Sequence, residues 1–255
     1  NFAFIIYRNW SYEIFKKIKK KFKNFNFLLI VPKKKEFNIS KNQKLIYEIN
    51  PRDHVSLFKI FKKHNIQVAM FYGWSWIIPE KIHKNFLCLA LHPSKLPFFK
   101  GGSPLQNQIM KGYFNSAVSV FRINNRIDGG DIFFQKKLNL KKSIPAIFKD
   151  LTKKGYLITN SFLNNFVKGN VIFKKQRKKG SFYKRRNPSM SEFKIDEIKK
   201  IKFEKFENFV RALNDPYPNA FFCTKNYEIK VKSVKKVRKN SKLICLNDKK
   251  NIPKS

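Results

Sequence analysis

Two side chains in glycine- and proline-rich surroundings carry most of the chemistry this sequence offers. His92 follows the apolar run Phe86 to Leu91 and opens the string His92-Pro93-Ser94-Lys95-Leu96-Pro97-Phe98-Phe99-Lys100-Gly101-Gly102-Ser103-Pro104. Asp128 opens Asp128-Gly129-Gly130-Asp131-Ile132, a glycine turn after another apolar run. A histidine at a strand end, a stiff loop over it and an aspartate in a second loop are what a water-shielded acid/base pair requires. Proton transfer needs both groups within hydrogen-bond reach, and loops anchored on a sheet can hold them there. The same residues equally suit a strand-end histidine satisfied by a local partner and a turn-forming aspartate. Spacing alone leaves both readings open.

The surrounding pattern says what must position these groups. Phe2 to Arg8 reads as a buried strand, and Tyr12, Phe15, Ile18 and Phe22 recur at helical spacing. Phe25 to Val31 is a second strand ending at Pro32; Val55, Phe58 and Phe61 mark a helix; Val68 to Tyr72 is a third strand broken at Gly73. Phe86 to Leu91 is a fourth. The chain is then expected to form a helix from Gly101 to Gly112, strands at Ala117 to Asn124 and Ile132 to Leu138, and a helix from Pro145 to Asn165. Alternating strands and helices predict an α/β fold, a mostly parallel sheet with helices on both faces, followed by a small β-rich region. In such sheets ligands gather at the carboxyl ends of the strands, where the segments after Tyr72, Leu91 and Asn124 meet. The expected organisation is a catalytic domain over 1–175, a basic linker over 176–202 and a small region over 203–255. That last region holds a helix at Phe203 to Leu213, a turn at Pro216 to Pro218, and strands near Phe221 to Phe222, Glu228 to Val234 and Lys242 to Leu246.

Composition narrows the class. Of 255 residues, 56 are Lys or Arg and 16 Asp or Glu, a formal charge of +40, yet 42% are hydrophobic, which excludes a disordered polycation. Lysines run along the whole chain, at Lys16 to Lys23, Lys33 to Lys35, Lys174 to Lys179 and Lys235 to Lys239. That spread reads as a bias over the entire surface and not as a dedicated nucleic-acid footprint. No apolar stretch approaches the roughly 20 residues of a membrane span. The opening Asn1-Phe2-Ala3-Phe4-Ile5-Ile6-Tyr7-Arg8 reads as a strand, not a signal peptide, and lacks an initiator methionine, as a fragment would. Cys88, Cys223 and Cys245 have no metal-ligand spacing and fit a reducing cytoplasm, so neither disulfide nor metal is expected.

The string His92-Pro-Ser-x-Leu-Pro-x-x-x-Gly, with Asp128-x-Gly-Asp-Ile a strand-helix-strand unit later, resembles the signature of the formyltetrahydrofolate-dependent formyltransferases. The likeness extends to Phe71-Tyr72-Gly73-Trp74-Ser75-Trp76-Ile77-Ile78-Pro79, to Arg185-Arg186-Asn187-Pro188-Ser189-Met190-Ser191, and to Phe209 through Phe221. The resemblance implies direct transfer of a formyl group from 10-formyltetrahydrofolate to a primary amine, without a metal. Asp128 would assist removal of the amine proton, and His92 would serve the developing oxyanion or the leaving nitrogen. Gly73, Trp74, Ile77, Ile78 and Ile127 would hold the pterin, although core packing is an equal reading for Trp76. Ser94, Gly101 and Gly102 would face the acceptor. The family carries an asparagine two residues before the histidine, where its amide holds the formyl oxygen; here that position is Ala90. Ala90 is expected to be buried, with Gln106, Asn107 or Gln108 supplying the amide.

The acceptor is ranked by what the sequence lacks. A glycine-rich phosphate loop does not open the chain, which argues against glycinamide ribonucleotide. Pro32 to Asn50 has no glycine, unlike the long loop with which methionyl-tRNA formyltransferases grip an acceptor stem. The expectation is therefore an amino sugar on a nucleotide, then methionyl-tRNA, and third a catalytically silent RNA-binding relative. A continuous basic track from the Lys174 to Arg186 segment to His92, together with a salt-resistant preference for methionyl-tRNA over other tRNAs, would reverse the first two.

Overall fold

The structure, a computed structural model, describes residues 1–237 apart from 34, 35, 38, 40–42, 44 and 178. β1 (Phe2–Ile6) turns into α1 (Asn9–Lys21), followed by β2 (Phe27–Val31), β3 (Ile46–Glu48), α2 (His54–Lys63) and β4 (Val68–Tyr72). Then come α3 (Glu80–Asn85), β5 (Leu87–His92), the two-residue β6 (Lys100–Gly101), α4 (Pro104–Met110), β7 (Asn115–Arg122), β8 (Ile132–Asn139) and α5 (Ile144–Val167). β9 (Phe182–Tyr183), α6 (Ile195–Ile198), α7 (Phe203–Ala212), β10 (Ala220–Cys223) and β11 (Glu228–Val231) complete the described elements.

Seven strands form one sheet in the order β3-β2-β1-β4-β5-β7-β8. β3, β2, β1, β4 and β5 run parallel, and β7 and β8 add an antiparallel edge. Strands covered on both faces must be apolar at every position, which is why Phe-Ala-Phe-Ile-Ile and Phe-Leu-Leu-Ile-Val show no polar alternation. The period of two still sorts them. Phe4 and Ile6 pack with α1 and α5 residues such as Phe15, Ile158 and Phe162, whereas Ala3 and Ile5 pack with Leu57, Phe61 and Ile82 from α2 and α3. A third cluster of Phe193, Phe206, Val210, Leu213 and Ala220 lies beneath the β10–β11 hairpin and meets α4 through Met110.

The expected α/β sheet is present, with local differences. The helix expected from Gly101 starts at Pro104, because Ser103 takes a left-handed backbone and proline suits the first helical position. β3 arises in the segment between Pro32 and Asn50, where no element was expected; it is an edge strand of intermediate burial with no apolar run to announce it. α3 has too few residues to show a period. The strand expected at Lys242 to Leu246 lies outside the described residues.

Candidate functional site

β5 ends at His92, and the chain must leave the sheet at Pro93 because proline cannot donate to the ladder. The imidazole is buried. Its Nε2 lies 2.7 Å from the carbonyl oxygen of Phe99, so this nitrogen carries a hydrogen and donates it. Nδ1 faces Asp128 Oδ2 at 3.4 Å. Both ring nitrogens therefore look at acceptors. Gly101 N–H donates to the same Oδ2 at 2.7 Å, fixing the carboxylate from the other side.

The two loops are tied down by groups of opposite origin. Within the His92 loop, Ser94 Oγ donates to the Phe98 carbonyl at 2.7 Å, Ser119 Oγ donates to the Ser94 carbonyl at 2.6 Å, and Gln108 Nε2 donates to the Pro93 carbonyl at 2.9 Å. Asp128 sits at φ +47, a left-handed conformation that aspartate tolerates better than most residues. Phe99 and Ser103 are also left-handed, so strained backbone collects beside His92. The Asp128 turn is held from outside: Gln176 Nε2 donates to the carbonyls of Asp128 and Gly130 at 2.8 and 2.7 Å.

Gln176 belongs to a strap, residues 174–186, that crosses the carboxyl edge. Lys174 pairs with Ile132 in both directions at 2.8 Å. Further on, Lys100 N–H donates to Ser181 O at 2.9 Å, Gly102 N–H to Tyr183 O at 2.8 Å, and Arg186 N–H to Ser103 Oγ at 3.1 Å. The strap lies directly on the two glycines of the His92 loop. A β-carbon on Gly101 would sit 2.4 Å from the Tyr183 oxygen, and one on Gly102 would sit 2.3 Å from the Arg185 α-carbon. These glycines admit protein backbone. The segment expected to be a linker is thus part of the site's wall, which no periodicity could reveal because its partners are loops.

Together these elements enclose a cavity of about 490 Å³. One wall is apolar: Phe71, Trp74, Trp76, Ile77, Ile78 and Phe121. Trp74 and Trp76 pack at 4.9 Å between ring centroids, and the Trp74 indole N–H is buried without a hydrogen-bond partner. The other wall is polar, with His92 and Asp128, the amides of Asn124 and Asn125, and the cations Arg126, Lys184 and Arg185.

Of the expected site residues, the structure brings His92, Asp128, Trp74, Ile77, Ile78, Ile127, Gly101 and Gly102 onto this cavity. Four groups of expectations change. Gly73 does not line it; at φ +66 it turns the chain between β4 and Trp74, with Arg8 and Trp10 against its α-carbon. Ser94 is buried and bonded within its loop. Ala90 is in β5 but only half-buried, because its side of the strand faces the cavity. Gln106, Asn107 and Gln108 are absent from the lining; Asn107 Nδ2 donates to the Gly102 carbonyl at 2.9 Å, and Gln108 is occupied by Pro93, Pro104 and Ser116. Sequence reading missed Gln176, Lys184, Arg185 and the Asn124–Arg126 turn. Only the cluster of basic residues around Lys184 hinted at any of them.

An open α/β sheet with a histidine facing an aspartate across its carboxyl edge, beside an apolar half-cavity, is a site built for proton transfer next to a bound apolar group. The formyl transferase family model matches residues 21–150, just over half of the chain, and the chain belongs to that family. It is 29% identical over 175 residues to the methionyl-tRNA formyltransferase of Buchnera aphidicola subsp. Acyrthosiphon pisum (strain Tuc7), a match covering 66% of this chain and 54% of that protein. The chain spans about half the length of the curated relatives it matches. Among solved structures, it resembles a methionyl-tRNA formyltransferase from Clostridium thermocellum with a TM-score of 0.69 and 28% identity, over 90% of each chain. A 4-N formyltransferase from Francisella tularensis shares the fold at a TM-score of 0.76 and 16% identity, over 92% of this chain and 98% of that one. Among the described residues no cluster of His, Cys, Asp and Glu could hold a metal, and no helix is long and apolar enough to cross a membrane.

Proposed function

We infer that the protein transfers a formyl group from 10-formyltetrahydrofolate to the α-amine of an aminoacyl-tRNA, methionyl-tRNA by likeness to its relatives. The observation that carries the acceptor is the strap. It brings Lys184 and Arg185 onto the cavity wall that also holds Asp128, so a basic path leads from the Lys174 to Arg186 segment to the reacting groups. With a salt-resistant preference for methionyl-tRNA, this arrangement would place RNA above a sugar nucleotide. A sugar nucleotide presents few phosphates, whereas an RNA engages cations along its backbone. The α1 lysines are placed elsewhere: α1 leaves the carboxyl edge after β1 and runs back, carrying Lys16 to Lys21 towards the opposite edge.

The cavity suits the donor. Trp74, Ile78, Phe71 and Phe121 offer apolar surface for a flat heterocycle, and the unpartnered Trp74 indole N–H offers it a donor. When bound, the folate supplies an activated formyl carbon. The amine attacks that carbon only after losing a proton, and Asp128 is placed to accept it. A new N–C bond forms, the bond to the folate nitrogen breaks, and that nitrogen leaves with the proton Asp128 accepted, while His92 Nδ1, 3.4 Å from Oδ2, positions the carboxylate. With alanine at position 90, the asparagine amides on the wall are those of Asn124 and Asn125.

Formyl transfer by the purified protein tests this reading, with 10-formyltetrahydrofolate as donor and methionyl-tRNA or an aminosugar nucleotide as acceptor. Turnover with methionyl-tRNA is expected. Turnover with the sugar alone would replace the acceptor and keep the chemistry; turnover with neither would overturn both.

A further inference from the structure

Aromatic rings stand in the open at the cavity wall and along the loops behind it. Phe182, on the wall, and Phe98 and Tyr113, in the loops beside it, are 54%, 47% and 60% exposed, although burial of such rings is favourable. They flank a built stack. Phe99 and Tyr183 lie parallel, with centroids 5.1 Å apart and planes at 13°, and Tyr113 meets the edge of Phe99 at 5.1 Å. Lys111 Nζ stands 5.4 Å over the Tyr183 ring, and Lys184 and Arg185 continue the strap into the cavity. The Phe182 ring lies over Gly101, within 2.7 Å of where a β-carbon would be, so it borders the Asp128 anchor.

We propose that Phe182, Phe98 and Tyr113, with Lys111, Lys184 and Arg185, form a stacking platform for the unpaired bases at the 3′ end of an RNA acceptor, feeding its terminal aminoacyl group to Asp128. This rests on the RNA-acceptor reading above and adds where and how the single strand is held. Charge and ring chemistry select the occupant. Bases stack on exposed aromatic faces without sequence preference, while interleaved Lys and Arg track the phosphates. A protein partner would be expected to meet a less cationic surface, and a paired duplex has no free base faces to offer.

The test compares Phe182→Ala, Tyr113→Ala and the double variant with wild type, and with Phe134→Ala, an exposed phenylalanine on β8, as control. Each protein is titrated at physiological salt with a hairpin RNA carrying a short single-stranded 3′ end and with the same hairpin cut blunt. KM and kcat for methionyl-tRNA are measured in parallel. Wild type should bind the overhang hairpin more tightly than the blunt one, and each ring removed should weaken overhang binding and raise KM by about tenfold, with kcat nearly unchanged. Phe134→Ala should match wild type. Equal affinity for overhang and blunt hairpins, or platform variants as tight as wild type, would overturn the platform even if methionyl-tRNA is formylated. Wild type that prefers the overhang hairpin but formylates only a sugar would overturn the acceptor reading and, with it, the feeding role.

Discussion

The parallel half of the sheet and the strap at its carboxyl edge are built from opposite materials. β1, β2 and β4 are continuous apolar runs whose every residue is buried, so their stability comes from area removed from water and does not depend on any one partner. The strap over 174–186 buries little of itself. It holds by single backbone hydrogen bonds to two loops, by the Gln176 amide across the Asp128 turn, and by seating on Gly101 and Gly102. The first region supplies most of the stability; the second sets the shape of the site. Stability and activity should therefore respond to different residues.

The largest effect is expected at the pair both regions hold. Asp128→Asn keeps an oxygen for Gly101 N–H but cannot take a proton from the amine, so kcat should fall by about 10³-fold, with an unchanged thermal midpoint. A kcat within a few-fold of wild type would remove Asp128 from the chemistry. On the sheet side, Phe61→Ala empties a fully buried position between α2 and the sheet and should cost about 3–5 kcal/mol in denaturant unfolding.

Between these lies Gly102→Ala, which would separate the two regions most cleanly. A methyl group there meets Arg185 backbone, which cannot rotate away, so the strap must lift. The expected outcome is a loss of about 1–3 kcal/mol and a lower kcat, with faster amide exchange confined to 180–186 and 99–103. Exchange that quickens evenly over the sheet would show that strap and sheet unfold as one unit.

The smallest effect concerns Cys88, four residues before His92 on β5 and buried in the core with Phe61 and Ile82. Burial pushes its thiol from an ordinary 9.0 up to about 12. The folded state then holds that proton more tightly than the unfolded chain, so this contribution to stability is present below about pH 9 and is lost as pH rises towards 12. Cys88→Ala should flatten the fall in urea midpoint between pH 8 and pH 10. Thiol labelling of the folded protein at neutral pH should be the same in Cys88→Ser as in wild type.

Much of this molecule was legible in its residues. Strands buried on both faces announce themselves as apolar runs, and amphipathic helices by their period, because burial acts locally on residue type. His92 and Asp128 were singled out by the family resemblance, their pattern alone leaving a structural reading open, and the sheet brings them to 3.4 Å. What the residues could not say is which other groups would reach that pair. Gln106, Asn107 and Gln108 are near His92 in sequence and carry the right amides, yet α4 turns them away from the cavity, where Asn107 and Gln108 support loops. Gln176, far along the chain and without any pattern, is the amide that holds the Asp128 turn. The sequence by itself determined the α/β sheet and its carboxyl edge, since these follow from hydrophobic period, and it offered His92 and Asp128 as residue types able to exchange a proton without deciding that they do. Only the tertiary structure decided that the strap closes the site, that its glycines admit backbone and that Lys184 and Arg185 reach the cavity, because those contacts join loops distant in the chain that no local preference encodes.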